Sequence, residues 1–149
     1  MNRIIKWLDL PPVWLAGFMA AAWGLAQYWA VWGEALLWPG RAIIAAGIVL
    51  AIWSAQAFRR ARTTIVPREE PSALVGCGPY RWSRNPIYIA DLMILAGWAI
   101  SLGAPLGLVL IYPLQQVLLR RFILPEERVL TEHLGAAYEA YCGRVRRWV

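Results

Sequence analysis

Apolar residues fall along the chain in long charge-free runs. The first covers residues 13–32, a second 42–58, and a third, 86–119, contains only the charge of Asp91. About 20 helical residues cross the roughly 30 Å of hydrocarbon in a bilayer, so the first two runs each predict one spanning helix. The third is too long for one crossing: at about 1.5 Å per residue a single helix would reach on the order of 50 Å. Ser101, Leu102, Gly103, Ala104 and Pro105 offer a turn midway. The expectation there is a helical hairpin over 86–102 and 105–124.

Polar residues gather in two places. Residues 59–85 are basic and contain proline and glycine, which predicts a structured loop. After residue 124 come Pro125, Glu126 and Glu127, then Leu130, Leu134, Tyr138, Tyr141, Val145 and Trp148 at helical spacing. This predicts an amphipathic helix over 125–149. Pro125 suits its first position, the two glutamates complement its positive end, and Arg144, Arg146 and Arg147 would meet anionic headgroups. The expected fold is all-α: one polytopic membrane domain over 1–149, with four transmembrane helices, the last two a hairpin, and a C-terminal amphipathic cytoplasmic helix.

Composition agrees with a bilayer as the solvent, since 60% of the 149 residues are hydrophobic and ten are tryptophan. Charge then orients the spans. Of the 15 lysines and arginines, all but Arg41 fall before the first helix (Arg3, Lys6), between the second and third (Arg59, Arg60, Arg62, Arg68, Arg81, Arg84), or after the apolar run of the fourth ends at residue 119. The positive-inside rule places both termini and the 59–85 loop in the cytoplasm, with a bacterial inner membrane as the expected location. The net charge of +6 then belongs to a basic inner face suited to anionic lipid rather than to nucleic acid. A signal peptide is not expected, because the 13–32 run exceeds the usual apolar core of about 7 to 15 residues. Cys77 and Cys142 fall on the reducing side, and two thiols with one histidine make a poor metal site.

Candidate chemistry concentrates at the inner face. Gly76, Cys77, Gly78 and Pro79 form a tight turn in which the glycines can take positive φ. A lone Gly-x-Gly without a preceding strand does not support a Rossmann site. Asn85 and Pro86 make a helix start, with Asn85 able to cap free amides. The same helix end, with Arg84 beside it, favours an anion such as a cofactor carboxylate or a lipid phosphate. Arg84, Tyr88 and Asp91, spaced by four and three, share one face. Asp91 is the one acid within an expected span, and its cost there makes it either a functional group or one satisfied by interfacial water or by Arg84. Glu126 and Glu127 are candidates for ribose hydroxyls or an ammonium group. His133 reads as a solvated helix residue.

The ordered set of Ser72, Ala73, Leu74, Val75, Gly78, Pro79, Tyr80, Arg84, Asn85, Pro86, Ile87, Tyr88, Glu126, Glu127, Leu130, Gly135, Tyr138, Tyr141, Arg147 and Trp148 resembles a known family. It is that of the isoprenylcysteine carboxyl methyltransferases and related phospholipid methyltransferases, integral membrane enzymes that use S-adenosylmethionine. The resemblance implies a cofactor enclosed by the loop, the cytoplasmic ends of the last two spans and the C-terminal helix. It carries over Ser72, Ala73, Leu74, Val75, Tyr80, Asn85, Pro86, Tyr88 and Glu126 as cofactor contacts, with S-adenosylhomocysteine as product. The eukaryotic carboxyl methyltransferases have histidine where this chain has Asn85 and phenylalanine where it has Leu134. Their substrate-binding arginine before the paired glutamates has no counterpart in register, since Phe122 holds that spacing and Arg121 is adjacent.

Methyl transfer from a sulfonium is an in-line displacement that needs positioning and exclusion of water more than acid catalysis. Arg84, Tyr88, Asp91 and Glu127 are the candidates for catalytic roles. A carboxylate or thiolate acceptor needs no base, whereas an ammonium acceptor must lose a proton, to Asp91 or Glu127. The expected partner is a membrane lipid or other lipophilic acceptor entering from the bilayer. Two other readings stand beside this one: a membrane reductase of the sterol type using NADPH, and a non-catalytic membrane scaffold.

Overall fold

The computed structural model describes residues 9–32, 34–61 and 74–149. Ser72 and Ala73 lie outside them, as do Arg3, Lys6, Arg62 and Arg68 from the orientation argument. Among the described residues the chain is helical, without strands. Its helices are α1 (Pro11–Trp29), α2 (Leu37–Ala61), α3 (Pro86–Ser101), α4 (Pro105–Val109), α5 (Ile111–Leu118), α6 (Leu124–Leu134) and α7 (Ala136–Cys142). A 3₁₀ turn, Glu34–Leu36, leads into α2, so that Glu34–Ala61 forms a single rod of 28 residues. Likewise α4, α5, a π-helical turn at Leu119–Ile123 and α6 run on as one rod, Pro105–Leu134, of 30 residues.

These two rods are long and apolar enough to cross a bilayer. Only 11% of the apolar window of Glu34–Ala61 is buried against the rest of the chain, which distinguishes it from the core helix of a soluble protein. Ile48, Val49 and Ile52 point outward from it. Between them α3 is apolar but only 16 residues long.

Packing of α2 against α3 is made by missing side chains. On α2, Gly40, Gly47 and Ser54 recur every seven residues, and all three are buried. A Cβ at Gly40 would sit 2.6 Å from the Gly97 carbonyl oxygen, and one at Gly97 would sit 2.6 Å from the Gly40 carbonyl oxygen. Backbones that approach this closely are the usual solution for helices in lipid, where burying apolar area yields no gain over facing acyl chains. At the far end, Val31 and Trp32 donate backbone hydrogen bonds to the Gly103 carbonyl, at 3.0 and 3.1 Å. Gly103 itself turns the chain from α3 to α4 with φ +66°. The indole of Trp98 donates to the Met19 carbonyl at 3.0 Å, tying α3 to α1.

Two features differ from the sequence expectation. Pro125 does not open a separate helix. A proline ring crowds the carbonyl four residues back, here that of Arg121, and removes one donor. The π turn absorbs this, with the Leu124 amide reaching five residues back to the Leu119 carbonyl, and the rod continues. The helix expected over 125–149 is in turn divided. Gly135, at φ +48° and ψ −126°, ends α6, α7 closes at Cys142, and the tail turns back to bridge Arg146 with Ser83.

Candidate functional site

The turn before α3 is a 3₁₀ segment, Gly78–Arg81, that buries Pro79 and Tyr80. Of Gly76 and Gly78 only Gly78 takes positive φ, +59°. The Tyr80 ring packs edge-on against Phe58 of α2, centroids 5.3 Å apart, and beside Val75 and Ala57. Burial, reinforced by the Glu126 carboxylate, pushes the Tyr80 phenol far above its ordinary value, so it is a neutral hydroxyl. Leu74 packs in a neighbouring cluster with Tyr138, Tyr141 and Val145.

Asn85 stands at the N-cap of α3 but its side chain does not cap. It is turned outward, Nδ2 donating to the Arg147 carbonyl at 3.0 Å, while Pro86 at the first helical position leaves one fewer amide to satisfy. Arg84 precedes the helix and does not lie on its face. Its Nη1 sits 3.3 Å from Glu127 Oε1 and donates to Cys142 Sγ at 2.7 Å, so it does not serve Asp91.

Tyr88, one turn into α3, is where the two ends of the site meet. Its hydroxyl donates to Glu126 Oε1 at 2.8 Å, and its ring stacks at 28° over Phe122, centroids 6.3 Å apart. Phe122 and Glu126 are four residues apart on the long rod, one under the ring and the other at the hydroxyl, so Tyr88 is held at both ends. Glu127, one residue on, points to the other side. Its carboxylate takes the Arg147 guanidinium in a two-pronged contact, Nε to Oε1 at 3.0 Å and Nη2 to Oε2 at 2.7 Å. Arg121 is turned away, paired with Asp9 at 3.2 Å with its guanidinium over the Trp14 ring.

Among the described residues, two buried side-chain polar atoms have no partner: Arg84 Nε, a donor, and Asp91 Oδ2, an acceptor. Asp91 lies within α3, 9% exposed, three residues beyond Tyr88. The orphan donor stands four residues before Tyr88 and the orphan acceptor three residues after it, and buried groups of both kinds call for polar partners. A cleft of about 380 Å³ opens on the Glu127 side, lined by Arg84, Glu127, Arg128, Glu132, Tyr138 and Cys142 among others. It adjoins the Tyr88–Glu126 pair without including it.

The structure thus brings together Arg84, Asn85, Pro86, Tyr88, Glu126 and Glu127 from the sequence candidates, with Tyr80, Val75 and Asp91 around them. What sequence reasoning missed is Phe122 beneath Tyr88 and the engagement of Arg147, assigned there to lipid headgroups, with Glu127. The spacing of Phe122 four residues before Glu126 was the available signal for the first. A long-range tail contact leaves no such mark.

Compared with known proteins, residues 35–137 match the family model described as phospholipid methyltransferase. The match runs from the start of the α2 rod through α3, the long rod and into α7, and takes in Tyr88, Glu126 and Glu127. No curated protein and no solved structure matches the chain.

Proposed function

The chain belongs to the phospholipid methyltransferase family, and from that premise we propose that it transfers a methyl group from S-adenosylmethionine to a lipid-like acceptor at the inner face of a membrane. The family makes it a membrane methyltransferase. The cofactor, the acceptor and the residue roles are the proposal, and the observation that carries them is the Tyr88–Glu126 hydrogen bond together with the orphan Arg84 Nε and Asp91 Oδ2.

The residues fit the cofactor's groups. Arg84 Nε–H would hold the cofactor's carboxylate, Glu126 and the Tyr80 and Tyr88 hydroxyls would hold its ribose hydroxyls, and Val75 would supply apolar wall. Pro86 and Asn85 fix the entry of α3, Leu74 lies on the loop side, and Ser72 and Ala73 are cofactor contacts by the resemblance alone. When bound, the cofactor supplies an electrophilic methyl on a sulfonium with a neutral leaving group. The protein then has to orient the acceptor and keep water out. For an amine acceptor Asp91 is the proton acceptor, because its Oδ2 is uncommitted whereas both oxygens of Glu127 hold arginines.

Support for the membrane arrangement comes from the two long rods, the 19-residue α1 and the apolar α3. We read these as four crossings with the termini and residues 59–85 on the cytoplasmic side of a bacterial inner membrane. The acceptor enters laterally, and Arg144 and Arg146 meet anionic headgroups. Calorimetry of the detergent-purified protein with S-adenosylhomocysteine is the direct test. Saturable binding that is lost in Tyr88→Ala and Glu126→Ala is expected, and no binding to the wild type overturns the proposal. Tracing a labelled methyl group by mass spectrometry of lipids from cells with and without the gene then names the acceptor.

A further inference from the structure

The turn that opens α3 is not self-sufficient. Its N-cap side chain does not cap, and three of its donors are satisfied by two carbonyls of the chain's last residues. The Arg84 amide donates to Arg146 O at 2.9 Å, Ser83 Oγ to Arg147 O at 3.2 Å and Asn85 Nδ2 to Arg147 O at 3.0 Å. Buried donors must find acceptors, so without the tail this turn would have to rearrange or take up water. The tail belongs to no helix and lies over the turn as a strap.

One carboxylate holds the strap down. Glu127, its side chain 14% exposed, takes the Arg147 guanidinium in a fork and keeps Arg84 Nη1 at 3.3 Å, so it joins the tail, the turn and the start of α6. Glu126, its neighbour, holds Tyr88. A shift of the tail is therefore transmitted on one side to Arg84, whose Nε is the orphan donor, and on the other to the helix start that aims Glu126.

We propose that Glu127 and Arg147 are positioning residues: a clamp that docks the C-terminal tail over the turn and so sets Arg84 and Tyr88 for the ligand. This rests on the function proposed above. It takes Glu127 out of the proton-accepting role and gives Arg147 one inside the protein rather than at headgroups. Cys142 reports on it, because its sulfur accepts from Arg84 and lines the cleft beneath the strap.

The test uses full-length protein carrying Cys77→Ser, which leaves Cys142 as the sole thiol. Two readouts are taken: the dissociation constant for S-adenosylhomocysteine by calorimetry, and the rate at which N-ethylmaleimide labels Cys142. Glu127→Gln and Arg147→Ala are each expected to weaken binding about tenfold and to speed labelling by a similar factor, the double variant doing no more than either single one. Arg147→Lys keeps the charge without the fork and should recover part of both. It also decides the matter if Arg147→Ala does not fold. Unchanged binding, effects that multiply in the double variant, or a lysine variant equal to wild type would overturn the proposal. Labelling needs no cofactor. If the wild type binds no S-adenosylhomocysteine, the proposed function falls, and Cys142 labelling that is no faster in Arg147→Lys or Glu127→Gln sinks the clamp separately.

Discussion

The α2–α3 seam and the junction over Tyr88 share α3 and are held by opposite means. Along the seam Gly40, Gly47 and Gly97 contribute by having no side chain, and the backbones meet directly. At the junction nearly every contact is polar and long-range: Tyr88 to Glu126, Asn85 to Arg147, Tyr141 to Tyr80. Where the surroundings are hydrocarbon, shape sets the geometry. At the junction, where water competes, hydrogen bonds and ion pairs set it and apolar rings support them.

This difference can be broken most severely at the seam. Gly97→Leu would drive its branch into backbone at both Gly40 and Ile44, neither of which can yield, and is expected to abolish monodisperse folded protein in size-exclusion chromatography. A Gly97→Leu protein that purifies and melts like wild type would mean that the close approach is unnecessary. Next in size comes the junction. Glu126→Gln, which keeps the shape but weakens the acceptor for the Tyr88 hydroxyl, should reduce S-adenosylhomocysteine affinity about tenfold or more while the protein stays folded. Folding lost in step with binding would show that the junction, like the seam, is structural.

Smaller effects sharpen the contrast. Tyr141→Phe removes one hydrogen bond to the Tyr80 carbonyl, 2.7 Å long and buried, and should cost roughly 1–2 kcal/mol in chemical denaturation. No change would mean that water substitutes at that carbonyl. The smallest is a matter of pH. Burial, opposed by the Arg84 cation, pushes the Tyr141 phenol from its ordinary 10.0 up to about 12. A folded value above the unfolded one means that stability from the neutral phenol is complete below pH 10 and fades as pH rises through about 12. The alkaline transition seen by ultraviolet absorbance should lose a component near pH 12 in Tyr141→Phe.

Much of the architecture was legible because it follows from strong local signals. Charge-free runs mark apolar helices, Pro86 and Pro105 mark helix starts, and Gly103 marks the turn between them. The cap at Asn85 was misread because the choice between capping its own helix and bonding the tail depends on where Arg147 lies, 62 residues away. The seam was written plainly in the seven-residue recurrence of Gly40, Gly47 and Ser54, yet such residues do not interrupt an apolar run and so do not stand out in it. Pro125 read as a boundary because proline usually is one, and nothing nearby announces the wider turn that lets a helix pass through it. The resemblance assigned Tyr88 and Glu126 to one cofactor but not to each other, and periodicity relates residues on one helix but not between two.

That wider turn at Leu119–Ile123 has a consequence for how the chain tolerates change in length. A π turn is in effect one extra residue spliced into an α-helix, and each residue of an α-helix advances the side chains by about 100°. Deleting one residue within it would wind the rod back to regular pitch and leave the downstream residues in register, whereas deleting Leu124 with the π turn kept would slide the sequence beyond it by one position. Glu127 would then stand at Tyr88, and Arg128 would face the tail where an acid is needed. The two adjacent glutamates are thus the two phases of one screw, and the single surplus residue decides which of them grips the site and which grips the strap.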